Sequence, residues 1–150
     1  MEISVRNQQR KIKISPSLVR EVARRTLEAL GCSDAECSVL LVSDRRIRDL
    51  NHAYRKVASA TDVLAFPMRE GPGGELYPGL LGDVVISVER ARSQALEMGH
   101  SLTTEISILL VHGLLHLIGW DDATAVSRKE MFAMQEEILK QVFPEGREDG

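Results

Sequence analysis

The stretch from Leu109 to Asp122, LLVHGLLHLIGWDD, constrains the fold of this chain more than any other. From Ile106 to Ile118 the sequence is apolar except for Ser107, Gly113 and two histidines, His112 and His116. A run of this kind predicts a helix buried at the centre of a domain. It falls short of the roughly 18 uninterrupted apolar residues that a membrane span needs. Residues four apart on a helix share a face, with Cβ atoms roughly 5–6 Å apart. His112 and His116 therefore stand side by side on a helix that should otherwise be core. Each buried imidazole needs a partner, and Gly113 costs roughly 0.8–1 kcal/mol against alanine in a helix interior. Such contradictions of local packing rules mark function.

Counted from His112, the pattern is H-G-x-x-H-x-x-G-x-x-D and ends on Asp122. A helix offers two ligands, Gly119 turns the chain, and the returning segment offers a third from another direction. Three protein ligands leave a fourth position for water, the arrangement of a catalytic rather than a structural zinc. Metal-bound water loses a proton near neutral pH and becomes a nucleophile. Spacing favours Asp122 as third ligand, with Asp121 competing for the place; both also read as cap or turn residues. A carboxylate makes the site harder than three histidines would and favours oxygen-liking metals somewhat more; one zinc per chain remains the expectation, with other divalent metals accessible. Gly113 stands where the H-E-x-x-H pattern of metallopeptidases carries its glutamate base. That absence argues against amide cleavage.

The remaining chain reads as one α+β domain over residues 1–150, a small mixed four-stranded sheet packed with about five helices. Glu2–Val5 and Lys11–Ile14 alternate as a first strand or hairpin. Ser15 and Pro16 start a helix with a stripe of Leu18, Val19, Val22, Ala23, Leu27 and Leu30, ended by Gly31. Strands follow at Glu36–Ser43, Asp62–Phe66 and Asp83–Val88. Asp44 caps a second helix with Ile47 and Leu50 inward and Arg55 near its end. Glu89–Met98 forms a third helix, Ser101 caps the central one, and Ser127 with Glu130 forms a capping box before the last. Glu70–Gly79, with four glycines and two prolines, is expected to be a loop or flap.

Nineteen basic and 22 acidic residues leave a net charge of −3, which neither suggests nor excludes nucleic acid. The basic residues nevertheless cluster, with Arg45, Arg46, Arg48, Arg55 and Lys56 in one group and Arg6, Arg10 and Lys11 near the start. Clusters of this kind can make a local positive surface on an acidic protein. Cys32 and Cys37 fit no zinc or redox spacing and read as reduced structural residues. Asp62 and Asp83 read as structural, and His52 and His100 as surface residues without a role. No secretory n-region or h-region opens the sequence, so a cytoplasmic location is expected.

HGLLHLIGWDD resembles the H-G-x-L-H-L-x-G-[YW]-D-H signature of the YbeY family, bacterial endoribonucleases of ribosomal RNA maturation. Asn51–Arg55 (NHAYR), Thr61–Phe66 (TDVLAF), Gly82–Ser87 (GDVVIS) and Met131–Leu139 (MFAMQEEIL) are similar to further family blocks in the same order. The resemblance implies a small α+β fold, one zinc held by three histidines, and single-strand-directed cleavage of RNA. Its implied targets are the 3′ end of 16S rRNA and defective ribosomes. Implied partners are ribosomal RNA, ribosomes and pre-ribosomal particles, a small-subunit ribosomal protein and an assembly GTPase, with no membrane. Carried over by position, the ligands are His112, His116 and Asp122, the last standing where the family usually has histidine. Asp121 matches the aspartate before the third ligand, and Arg55 an arginine facing the metal cleft. A guanidinium there suits the negative charge that builds on phosphoryl oxygens during in-line attack. The competing readings are a zincin-like metallopeptidase and a non-enzymatic ribosome-assembly factor with a structural metal.

Overall fold

In a computed structural model, residues 1–57, 59–68 and 79–143 are described. The order is β1 (Glu2–Asn7), α1 (Pro16–Ala29), β2 (Glu36–Val42), α2 (Asp44–Arg55), β3 (Val63–Pro67), β4 (Leu80–Ser87), α3 (Val88–Met98), α4 (Leu102–Leu117) and α5 (Ala125–Val142). The strands form one mixed sheet in the order β1-β2-β4-β3. β1, β2 and β4 run parallel, and β3 closes one edge antiparallel to β4. This is the expected α+β architecture.

Alternation along the strands sorts the core into two layers. Val39, Leu41, Val84, Ile86 and Ala65 face a large cluster shared with α1, α4 and α5, while Leu64, Val85 and Val42 meet Ile47 of α2 in a smaller one. α4 is the hub, in contact with α1, α3, α5, β3 and β4. That accounts for a helix apolar nearly all round: Ile106, Leu110, Val111, Leu114, Leu115 and Leu117 are all buried. His112 and His116 break the pattern on a stripe of the helix that borders a cleft. Among the described residues no helix is long and apolar enough to cross a membrane.

Local signals placed several boundaries well. The Ser15 hydroxyl accepts from Leu18 N–H with Pro16 at the first position of α1, and the Ser101 hydroxyl accepts from Thr104 N–H. Other expectations fail for tertiary reasons. Residues 11–14 form no strand, because β1 pairs in parallel with β2 rather than turning back on itself. Instead the Gln9 side chain clasps Ile12, donating to its carbonyl at 2.7 Å and accepting from its N–H at 3.0 Å. Ser43 caps α2, which frees Asp44 to pair with Arg90 at 3.1 Å. The last helix starts earlier than Ser127: Thr124 is its cap and Ser127 supplies the reciprocal bond three residues on. Leu18 is exposed, outside the buried stripe of α1.

The flap expected over Glu70–Gly79 lies outside the described residues except for Gly79, whose carbonyl accepts from Glu36 N–H at 2.7 Å. Both cysteines are free thiols, and burial pushes Cys37 up to about 11. Asp83 accepts from the Ser38 hydroxyl on the neighbouring strand, a structural role.

Candidate metal centre

α4, its following turn, β3 and the end of α2 enclose a cleft of about 650 Å3. α4 sits close enough to the sheet to build it because residue 113 has no side chain. A Cβ there would stand 2.6 Å from Val84 Cγ1 and 3.4 Å from Val63 Cγ2. The same crowding bars a glutamate from this position, which removes the base a metallopeptidase of this spacing requires.

The histidines meet as their spacing demands. His112 Nε2 and His116 Nε2 are 3.2 Å apart, with the ring planes at 80°. Gly119, at φ +110°, turns the chain after α4, and Asp122 returns with Oδ2 3.9 Å from His116 Nε2. One ligand atom from each of His112, His116 and Asp122 lies within 4.8 Å of the others. Two nitrogens bound tetrahedrally at about 2.05 Å from a zinc ion would stand about 3.3 Å apart. The observed separation fits that value, and the donor set can hold a metal ion.

Neighbouring groups orient the two histidines. Oε1 of Gln135, a buried residue of α5, lies 2.9 Å from His112 Nδ1. An amide oxygen only accepts, so Nδ1 carries the proton and Nε2 turns its lone pair into the cluster. Burial first, then the neighbouring His112, hold His116 below the usual imidazole value, which keeps it neutral and able to ligate. Gln135 was missed from sequence. Its signal was a polar residue amid the buried Met131, Ile138 and Leu139 of α5.

The two aspartates differ in their surroundings. Asp121 accepts from Ala123 N–H at 3.1 Å, a turn-forming bond that lowers its carboxyl pKa, and it borders the cleft outside the ligand cluster. Arg55 reaches the cleft from the end of α2. Its Nη2 donates to the Ala65 carbonyl at 2.9 Å and its guanidinium carbon lies 5.9 Å from the Phe66 ring centre. Arg45, Arg46, Arg48 and Lys56 are exposed on or just after α2 but do not line the cleft. Asp62 borders the cleft and accepts from Gln94 at 3.2 Å. His52 is exposed, but His100 is not: its Nε2 lies 2.6 Å from the Glu105 carboxylate, both side chains being buried. That pair ties the α3–α4 junction.

An α+β domain with a His-His-Asp cluster at the floor of an open cleft, faced by an anchored arginine, has the make-up of a metal-dependent hydrolase site. The model of the family described as Endoribonuclease YbeY matches residues 4–143, and the chain belongs to that family. Endoribonuclease YbeY of Symbiobacterium thermophilum is 46% identical over 93% of this chain and 96% of its own length. The protein of that name from Bacillus cereus is 44% identical over 83% of this chain and 84% of its own. The solution structure of TM1509 from Thermotoga maritima superposes with a TM-score of 0.66 at 26% identity, covering 95% of this chain and 90% of that one.

Proposed function

We propose that this chain is a metal-dependent endoribonuclease, a hydrolase that cleaves phosphodiester bonds within RNA. The observation that carries the reading is the pairing of a His112–His116–Asp122 donor cluster with Arg55 across one cleft. Its relatives are named endoribonucleases over most of the chain's length. His112, His116 and Asp122 are the proposed ligands of one zinc ion; the carboxylate also leaves room for another divalent metal. When bound, such an ion supplies Lewis acidity to a phosphoryl oxygen or lowers the pKa of a water.

The chain's own groups do the rest. Gln135 holds His112 with Nε2 inward. Arg55 is fixed by the Ala65 carbonyl and the Phe66 ring, so its guanidinium meets the charge growing on the phosphoryl oxygens without first being ordered. Asp121 holds the turn that returns Asp122.

The proposed substrate is ribosomal RNA in its single-stranded parts, with the 3′ end of 16S rRNA as the processing site and ribosome quality control as a second task. In this reading the protein works in the cytoplasm as a single domain, on ribosomes and pre-ribosomal particles. A small-subunit ribosomal protein and an assembly GTPase are the proposed protein partners. Arg45, Arg46, Arg48 and Lys56, exposed on or just after the helix that ends in Arg55, are proposed to hold the RNA backbone. The test is cleavage of structured rRNA by zinc-loaded protein beside His116→Ala. Metal-dependent cutting that the variant loses is expected; intact rRNA in both would overturn the reading. Metal-dependent cleavage of a peptide library would point instead to a peptidase. Particle binding that survives loss of His112 without any cleavage would point to an assembly factor.

A further inference from the structure

The edge strand beside the metal cluster carries backbone donors whose direction follows from the ladder. Ser87 N–H donates to the Asp62 carbonyl and Met68 N–H to the Leu81 carbonyl, each at 2.9 Å. With Val63 opposite Ile86 and Ala65 opposite Val84, these bonds turn the backbone groups of Leu64 and Phe66 toward β4. In an antiparallel ladder the intervening residues then turn theirs away. Val63, Ala65 and Pro67 therefore present their backbone groups to the outer edge. Two facts agree with that parity. Pro67, which has no N–H to lose, falls in the outward set, and the Ala65 carbonyl is taken from outside by Arg55. Among the described residues the Val63 and Ala65 amides have no acceptor.

An open strand edge is usually blunted or covered. Here it lines the same cleft as His112 and His116. Gly113 brings α4 against Val63, which sets the edge beside the cluster. The two outward amides are about 6.8 Å apart along the strand and are held by the sheet, so ordering them on binding costs little. We propose that the outer edge of β3 is a docking rail for an extended RNA strand, the Val63 and Ala65 amides donating to its acceptor oxygens. This rests on the RNA-cleaving reading. RNA is favoured over a peptide added as a strand because the neighbouring helix end carries Arg55 and Lys56, complementary to a polyanion. Backbone amides are common partners of phosphate oxygens and set register without reading sequence.

The test is amide hydrogen exchange, read by NMR on zinc-loaded protein with a short 2′-O-methyl oligouridylate, an abasic phosphodiester chain of equal length, or an extended peptide. Binding is followed independently through Trp120, the sole tryptophan, which lines the cleft. Exchange at Val63 and Ala65 should slow at least tenfold with the oligonucleotide, while Leu64 and Phe66 keep the protection β4 already gives. Protection by the abasic chain assigns phosphate oxygens; protection that needs bases assigns nucleobase carbonyls, and either supports the rail. Oligonucleotide binding that leaves both amides unchanged overturns the rail and leaves the nuclease reading standing. Protection by the peptide alone overturns the rail, and failure of any RNA to bind overturns both. Val63→Pro, which deletes one outward donor, should weaken oligonucleotide binding about tenfold. Unchanged affinity in a folded variant would count against the rail.

Discussion

Single atoms decide how this site can work. Asp122 is the ligand candidate whose chemistry sets metal preference, and its side chain is 53% exposed, so it can be replaced without disturbing the core. Asp122→His should shift the ratio of zinc to manganese affinity toward zinc by about tenfold, because imidazole suits zinc better and carboxylate suits manganese. Chelator-competition titrations with both metals check this; an unchanged ratio would remove Asp122 from the ligand set. At Gly113 two effects oppose each other. Alanine favours a helix by about 1 kcal/mol, but its Cβ would stand 2.6 Å from a methyl of the fully buried Val84, and overpacking costs about 1–3 kcal/mol. Gly113→Ala should therefore lose about 1 kcal/mol in urea unfolding and weaken metal binding, since the clash pushes α4 off the sheet. An unchanged unfolding midpoint would mean that Val84 gives way. The glycine looked from sequence like a missing base, and the packing shows that no base fits.

At the scale of elements, the start of α2 is joined to the start of α3. Asp44 pairs with Arg90 at 3.1 Å and accepts from the Ser87 hydroxyl at 2.9 Å, while its N–H donates to Glu89 at 2.9 Å. The bond from Arg90 chiefly holds the Asp44 carboxyl below its ordinary 3.8. A carboxyl depressed by folding contributes stability above its unfolded value and loses it as pH falls through the folded one. Asp44→Asn should accordingly cost about 0.5 kcal/mol at neutral pH, a modest figure because the pair is partly exposed. The difference from wild type should close below pH 3.8, as urea unfolding across the acid range would show. A difference that persists there would place the effect in contacts that do not depend on the carboxylate charge. α5 has a comparable role at the candidate metal site: it covers α1 and α4 and sends Gln135 to His112.

For the molecule as a whole, the proposed ligands come from α4 and the turn after it, so metal binding should stabilise the folded chain. A ligand at a hundred times its dissociation constant contributes about 2.7 kcal/mol. For a chain of 150 residues that is a rise in Tm of about 5–10 °C. Differential scanning calorimetry with and without zinc should show the rise in wild type and lose it in His116→Ala. A wild-type Tm indifferent to zinc would argue against the site. What the sequence by itself determined was local. Four-residue spacing set the histidines side by side, Ser15 and Ser101 closed helix starts, and an all-round apolar run made α4 the hub. Each depends on a few neighbouring residues and on helix geometry. What only the tertiary structure decided depends on contacts between residues far apart in the chain. Gln135 behind His112 and Arg55 on the Ala65 carbonyl join separate elements, as does the parallel pairing that removed the expected hairpin. No periodicity encodes them, because they arise when helices pack and strands choose their neighbours.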